Sequence, residues 1–152
     1  TLSSRGALVI SAQRPAKTDI NAYAGIVVSQ VEKLIERGVS PGNIVVVGFS
    51  KGGAIATRVS SFLRRPNVRF VLLAACPGSS AAPQISLTGQ VLSVYEESDT
   101  LAGSCKPLAD QSEQLRSFKE LKISTGKLHG VFYMPHPVWV EPLLDWVHGV
   151  AN

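Results

Sequence analysis

The stretch Asn43-Ile44-Val45-Val46-Val47-Gly48-Phe49-Ser50-Lys51-Gly52-Gly53 joins an apolar run to a serine held between glycines. Ile44 to Val47 predict a buried strand, and Ala54 to Leu63 follow with helix-compatible apolar spacing. A strand that turns sharply into a helix at a serine is the geometry of a nucleophile elbow. Bulky side chains two positions before or after such a serine would collide with the neighbouring strand and helix, and Gly48 and Gly52 remove them. Gly53 lets the helix approach the sheet closely. The backbone N–H of Lys51 falls at the helix N-terminus, where it can donate to an oxyanion. The bare pattern G-x-S-x-G is a weak signal, and it is the strand before and the helix after that carry the reading. A phosphate-cradling turn is the rival, but a Walker loop places Lys and then Ser/Thr after its last glycine, whereas here Lys51 follows Ser50.

Outward from the elbow, apolar runs alternate with amphipathic segments. Ala7–Ser11 predicts a first strand, and Thr18 or Asp19 can cap a helix running to Arg37, stopped by Gly38 and Pro41. Ile20, Tyr23, Ala24, Val27, Val31, Leu34 and Ile35 give that helix one face for burial. Further strands are expected at Asn43–Phe49, Val68–Ala75, Gln90–Glu96 and Phe118–Thr125, with a closing helix at Val138–Val150. Near-continuous apolar strands separated by helices argue for an α/β protein: a mostly parallel sheet with helices on both faces. Pro77–Gly89, rich in Pro, Gly, Ser and Ala, reads as a loop crossover too short for a lid domain.

At 152 residues and 45% hydrophobic, the chain, residues 1–152, is expected to form a single domain. Its net charge of +4 is dispersed, without a basic block or interleaved aromatics, which argues against a nucleic-acid groove. No apolar run approaches the roughly 18 residues a membrane-spanning helix needs, so no membrane partner is expected. Cys76 and Cys105 are expected to be buried free thiols, since a domain of this size needs no staple. Both nevertheless fall near strand ends, which leaves a bridge and the cellular compartment open. Trp139 and Trp146 read as core anchors of the closing helix, with a homodimer interface as the alternative.

A serine hydroxyl needs a base, and that base is usually a histidine oriented by a carboxylate. His129, in Gly126-Lys127-Leu128-His129-Gly130, emerges just after the fifth expected strand, at the same sheet edge as Ser50. His136 and His148 read as surface or packing residues. Glu96, Glu97 and Asp99 all end the fourth expected strand. Asp99 clears the strand by enough to turn back over the sheet, whereas Glu96 and Glu97 are expected to point sideways or into solvent. The histidines lack cysteine or carboxylate partners at ligand intervals, so neither a metal nor a cofactor is expected.

The chain order Ser50, Asp99, His129, each after a different strand, resembles that of the α/β-hydrolase family. Leu92–Asp99 is similar to that family's strand-then-acid segment, and His129-Gly130-Val131-Phe132 to its histidine loop. The resemblance implies hydrolysis of a small-molecule ester, thioester or amide through an acyl-enzyme. Ser50 would attack, His129 would move the proton, Asp99 would hold the imidazole and the Lys51 N–H would bind the oxyanion. The departure lies at the N-terminus, because the family has a further central strand whose following loop supplies a second oxyanion N–H. In the family's sheet that strand would lie between Ala7–Ser11 and Asn43–Phe49. Its absence leaves a gap or forces those two strands together. The chain, which starts at Thr1 without a methionine, is therefore expected to be an N-terminally incomplete portion of a longer hydrolase. The alternative is a non-catalytic scaffold or binding protein with an incomplete oxyanion site.

Overall fold

Parallel strands must be joined by crossovers that return the chain to the starting edge, and the amphipathic segment after Ser50 is one such crossover. The computed structural model describes residues 2–77 and 85–149. Four strands, β1 (Val45–Phe49), β2 (Arg69–Leu73), β3 (Gly89–Glu96) and β4 (Leu115–Ile123), lie side by side in chain order, and every neighbouring pair is parallel. Four α-helices accompany them: α1 (Ile20–Glu36), α2 (Lys51–Leu63), α3 (Lys106–Asp110) and α4 (Pro137–His148). Phe49 pairs with Leu73, Leu73 with Val94 and Val94 with Leu121, so the C-terminal ends of all four strands face the same edge.

Alternation along β2 and β3 divides the core in two, because successive side chains leave a strand on opposite faces. Phe70, Leu72 and Val91 pack with Ala24 and Val31 of α1 and Ile55, Ala56 and Val59 of α2. Val71, Leu73, Leu92 and Val94 pack on the other face with Leu143 of α4, and with Val131 and Phe132 of a short 3-10 helix, Leu128–Tyr133. Helices therefore cover both faces of a parallel sheet, as the apolar runs predicted. Trp139 and Trp146 pack on the second core, and the Trp139 indole donates to Val131 O (3.1 Å).

Local chemistry sets the helix ends. Asp19 is the cap of α1, its Oδ1 accepting the Ala22 N–H at 2.8 Å. Thr18 instead turns its hydroxyl to Pro15 O. His136 caps α4, with Nδ1 accepting the Val138 N–H at 3.3 Å, and the Arg69 guanidinium closes the other end on the carbonyls of Trp146 (2.7 Å) and Val147 (3.1 Å).

The structure corrects two expectations about the fold. Ala7–Ser11 forms no strand, and Leu8 is 90% exposed. Among the described residues no strand pairs with the outer side of β1, and an apolar run becomes a strand only where another backbone accepts and donates its hydrogen bonds. Neither arrangement left open for this segment is found, since Ala7–Ser11 is not a strand of the sheet and does not pair with β1. The second correction is that Cys76 and Cys105 form a disulfide, with Cα atoms 5.3 Å apart. Chain size argued for free thiols, but proximity decides the matter: Gly103 N–H donates to Cys76 O at 2.9 Å, laying the two segments together. The expected crossover Pro77–Gly89 falls in part on residues 78–84, which lie outside the described residues.

The bridge joins residues 29 apart. The chain-entropy relation for a loop of that length predicts that Cys76→Ala/Cys105→Ala loses about 3.5 kcal/mol of stability. Urea denaturation under non-reducing conditions reads this directly, and coincident unfolding curves for the two proteins would contradict it.

Candidate active site

Ser50 sits between β1 and α2 at φ 53°, ψ −118°, a backbone conformation that L-residues rarely adopt. It is held there from both sides: its N–H donates to Leu73 O on β2 (2.9 Å) and its carbonyl accepts the Ala54 N–H (2.9 Å). The elbow read from the sequence is present. A Cβ on Gly48 would stand 2.2 Å from Gly52 O, and one on Gly53 would stand 2.5 Å from the Ala75 Cβ. Those two glycines are required by close backbone approach. Gly52 is not, because a Cβ there meets open space, so the expected collision at this position is corrected. Lys51 is the first residue of α2, and its N–H has no acceptor within the helix.

Asp99 and His129 meet. The Asp99 side chain is 1% exposed, its Oδ1 accepting the Leu101 N–H (2.8 Å) and its Oδ2 lying 2.6 Å from His129 Nδ1. An ionised carboxylate can only accept, so Nδ1 carries the proton and Nε2 is the basic nitrogen. The residue before Ser50 fixes the imidazole from below: the Phe49 ring lies 4.9 Å from that of His129, with Tyr133 edge-on to both. Leu128, at φ 56°, makes the sharp turn that brings His129 back from β4.

His136 and His148 stand apart, at the two ends of α4. Asp110 pairs with Lys106 on an exposed face (2.6 Å). Among the described residues no three His, Cys, Asp or Glu side chains come together to hold a metal ion, and no helix is long and apolar enough to cross a membrane.

The expectation for Glu96 is overturned. It is 1% exposed, and its carboxylate accepts from Ser98 N (3.3 Å), Ser98 Oγ (3.0 Å), Thr125 N (3.0 Å), Thr125 Oγ1 (2.8 Å) and Gly126 N (3.2 Å). Strand parity carries the missed signal: Leu92, Val94 and Glu96 share one face, and that face is core. Glu97, one residue on, turns outward to Lys122 (2.6 Å) and Ser124 (2.8 Å). These two partners hold its carboxyl below the ordinary carboxylate range, the Lys122 hydrogen bond most. A matching carboxylate reaches the other way: Glu120 of β4 accepts from Ser104 Oγ (2.5 Å) and Cys105 N (2.7 Å), beyond Asp99 on the same loop.

Burial alone would raise the Glu96 carboxyl, but hydrogen bonds from Thr125 and Ser98 outweigh it and hold the group at about 2. The folded value lies below that of the unfolded chain, so the stabilisation is complete above pH 4.5 and is lost as pH falls towards 2. The melting temperature is expected to fall through this window in the native protein and to fall less in Glu96→Gln; parallel curves would contradict it. For the elbow, Gly48→Ala is expected to cost about 2 kcal/mol or more, while Gly52→Ala leaves stability unchanged or slightly raised. Equal effects in denaturant titrations would refute the asymmetry.

No protein-family model matches the sequence, and no curated protein sequence matches it. Solved structures do. The crystal structure of SOBER1 from Arabidopsis thaliana superposes with a TM-score of 0.65 at 14% identity, over 90% of this chain and 67% of that one. A point variant of SOBER1 gives a TM-score of 0.67 at 13% identity over the same shares. XC6422 from Xanthomonas campestris, described as a member of the α/β serine hydrolases without a lid, gives 0.62 at 14% identity, over 91% of this chain and 61% of that one. The chain thus spans roughly two thirds of the proteins it resembles, and its fold is that of the α/β hydrolases.

Proposed function

We propose that this protein is a serine hydrolase that cleaves a carboxylic ester, thioester or small amide of a small molecule through an acyl-enzyme. The observation that carries the reading is the Asp99–His129 pair, 2.6 Å apart, whose imidazole packs 4.9 Å from the ring of Phe49, the residue before the serine turn. In this reading His129 Nε2 takes the Ser50 proton as Oγ attacks the carbonyl carbon, and returns it to the leaving group as the acyl-enzyme forms. Water then repeats the cycle, losing its proton to Nε2 as it attacks. Asp99 holds the tautomer and stabilises the imidazolium. The Lys51 N–H, at the N-terminus of α2, faces the charge that develops on the carbonyl oxygen. Exposed side chains at Leu128 and Tyr133 flank His129 and suit an uncharged, apolar acyl or alcohol group.

One oxyanion donor contributes about 3 kcal/mol to the transition state, so a site with Lys51 alone runs about a hundredfold or more below one with two donors. Labelling tests the nucleophile without demanding fast turnover. A fluorophosphonate probe is expected to modify Ser50 stoichiometrically, with no label in Ser50→Ala or His129→Ala and labelling slowed about a thousandfold or more in Asp99→Asn. A folded wild-type protein that takes no label would favour the non-catalytic scaffold instead.

A further inference from the structure

We propose that Glu96 is a positioning residue of this site, a buried anchor that sets the geometry of the Asp99–His129 pair by holding both loops that carry it. The inference rests on the hydrolase reading above for its kinetic consequence, and on geometry for everything else. Glu96 ends β3, three residues before Asp99, and its side chain crosses to the loop after β4 that bears His129. Oε1 accepts from Ser98 N and Oγ on the first loop and from Gly126 N on the second; Oε2 accepts from Thr125 N and Oγ1. Ser98 extends the link, because its hydroxyl also accepts the Leu128 N–H at 3.2 Å, one residue before His129. A single carboxylate therefore touches the residue before Asp99 directly, and reaches the residue before His129 through the Ser98 hydroxyl.

What makes this more than a loop staple is the choice of group. A carboxylate this deeply buried costs several kcal/mol unless it is paired or fully hydrogen-bonded. Among the described residues its hydrogen-bond partners are all uncharged donors from the two loops. Neutral acceptors would suffice to close a loop. An ionised one draws donors from both sides to a common point, which shortens and stiffens the connection between them. The distance from Asp99 Oδ2 to His129 Nδ1, 2.6 Å, is then set by a group that never touches the substrate.

Glu96→Gln tests this, because the amide keeps the shape but presents an NH2 group where Thr125 N–H and Oγ1 now donate. With p-nitrophenyl acetate as the substrate, kcat is expected to fall about tenfold to a hundredfold with KM within about twofold. The downfield Nδ1–H resonance of His129, visible while Asp99 shields it from exchange, is expected to broaden or vanish. A folded Glu96→Gln with native kcat and a native Nδ1–H resonance would overturn the proposal. Should that variant fail to fold, Ser98→Ala cuts only the bridge from Glu96 to Leu128 and is expected to broaden the same resonance and lower kcat several-fold; native values for both would overturn it equally. The two readings fail separately. A wild-type protein without turnover or probe labelling refutes the hydrolase, while the resonance still decides what Glu96 does.

Discussion

Backbone pairing in the parallel sheet is the constraint on which the remainder of this molecule depends. Because β1, β2, β3 and β4 run the same way and in register, the chain leaves each of them at one edge. The serine turn follows β1, the Asp99 loop follows β3 and the His129 loop follows β4. Residues 50, 99 and 129 are far apart in the chain, yet the end of β3 lies one strand spacing of roughly 5 Å from that of β4 and two spacings from that of β1, which brings them towards one region. No antiparallel arrangement of the same segments would do so, since alternate loops would then leave from opposite edges.

A common edge does not by itself produce a working geometry, because loops at strand ends are mobile unless tied. Here the ties are specific. The serine turn is held in an unfavourable backbone conformation by hydrogen bonds to Leu73 and Ala54, and by a helix that can approach only because Gly48 and Gly53 lack side chains. Such a residue costs about 1–3 kcal/mol, which the packing of α2 against β1 and β2 must offset. The acid loop is bound at its start by Glu96 and at its end by Glu120 and the Cys76–Cys105 bridge. Carboxylates of neighbouring strands thus reach across to each other's loops, and the disulfide adds the third strand end to the same frame.

The open edge of β1 belongs to the same account. Among the described residues β1 is paired on one side only, and its Val47 is exposed. The apolar segment 7–11 lies unpaired and exposed. Apolar composition and β-branching express a preference for sheet, but preference becomes structure only where a partner backbone is in reach.

Much of this was legible in the residues themselves. The run Ile44–Val47 before Gly48-Phe49-Ser50 determined a strand and a turn of one kind, since only small residues fit where helix and strand cross so closely. The spacing of apolar residues in α1 and the continuous apolar runs of β2 and β3 determined a parallel sheet covered on both faces. The order of Ser50, Asp99 and His129 along those strands pointed to the candidate site. Tertiary structure alone decided the rest. Whether Ala7–Ser11 pairs depends on which backbone lies beside it, whether Cys76 meets Cys105 depends on how two loops pass, and whether Glu96 is buried depends on what covers the face it shares with Leu92 and Val94. In each case local sequence sets a propensity worth about 1 kcal/mol or less per residue, whereas burial, bridging and hydrogen-bond satisfaction act between distant segments and exceed it.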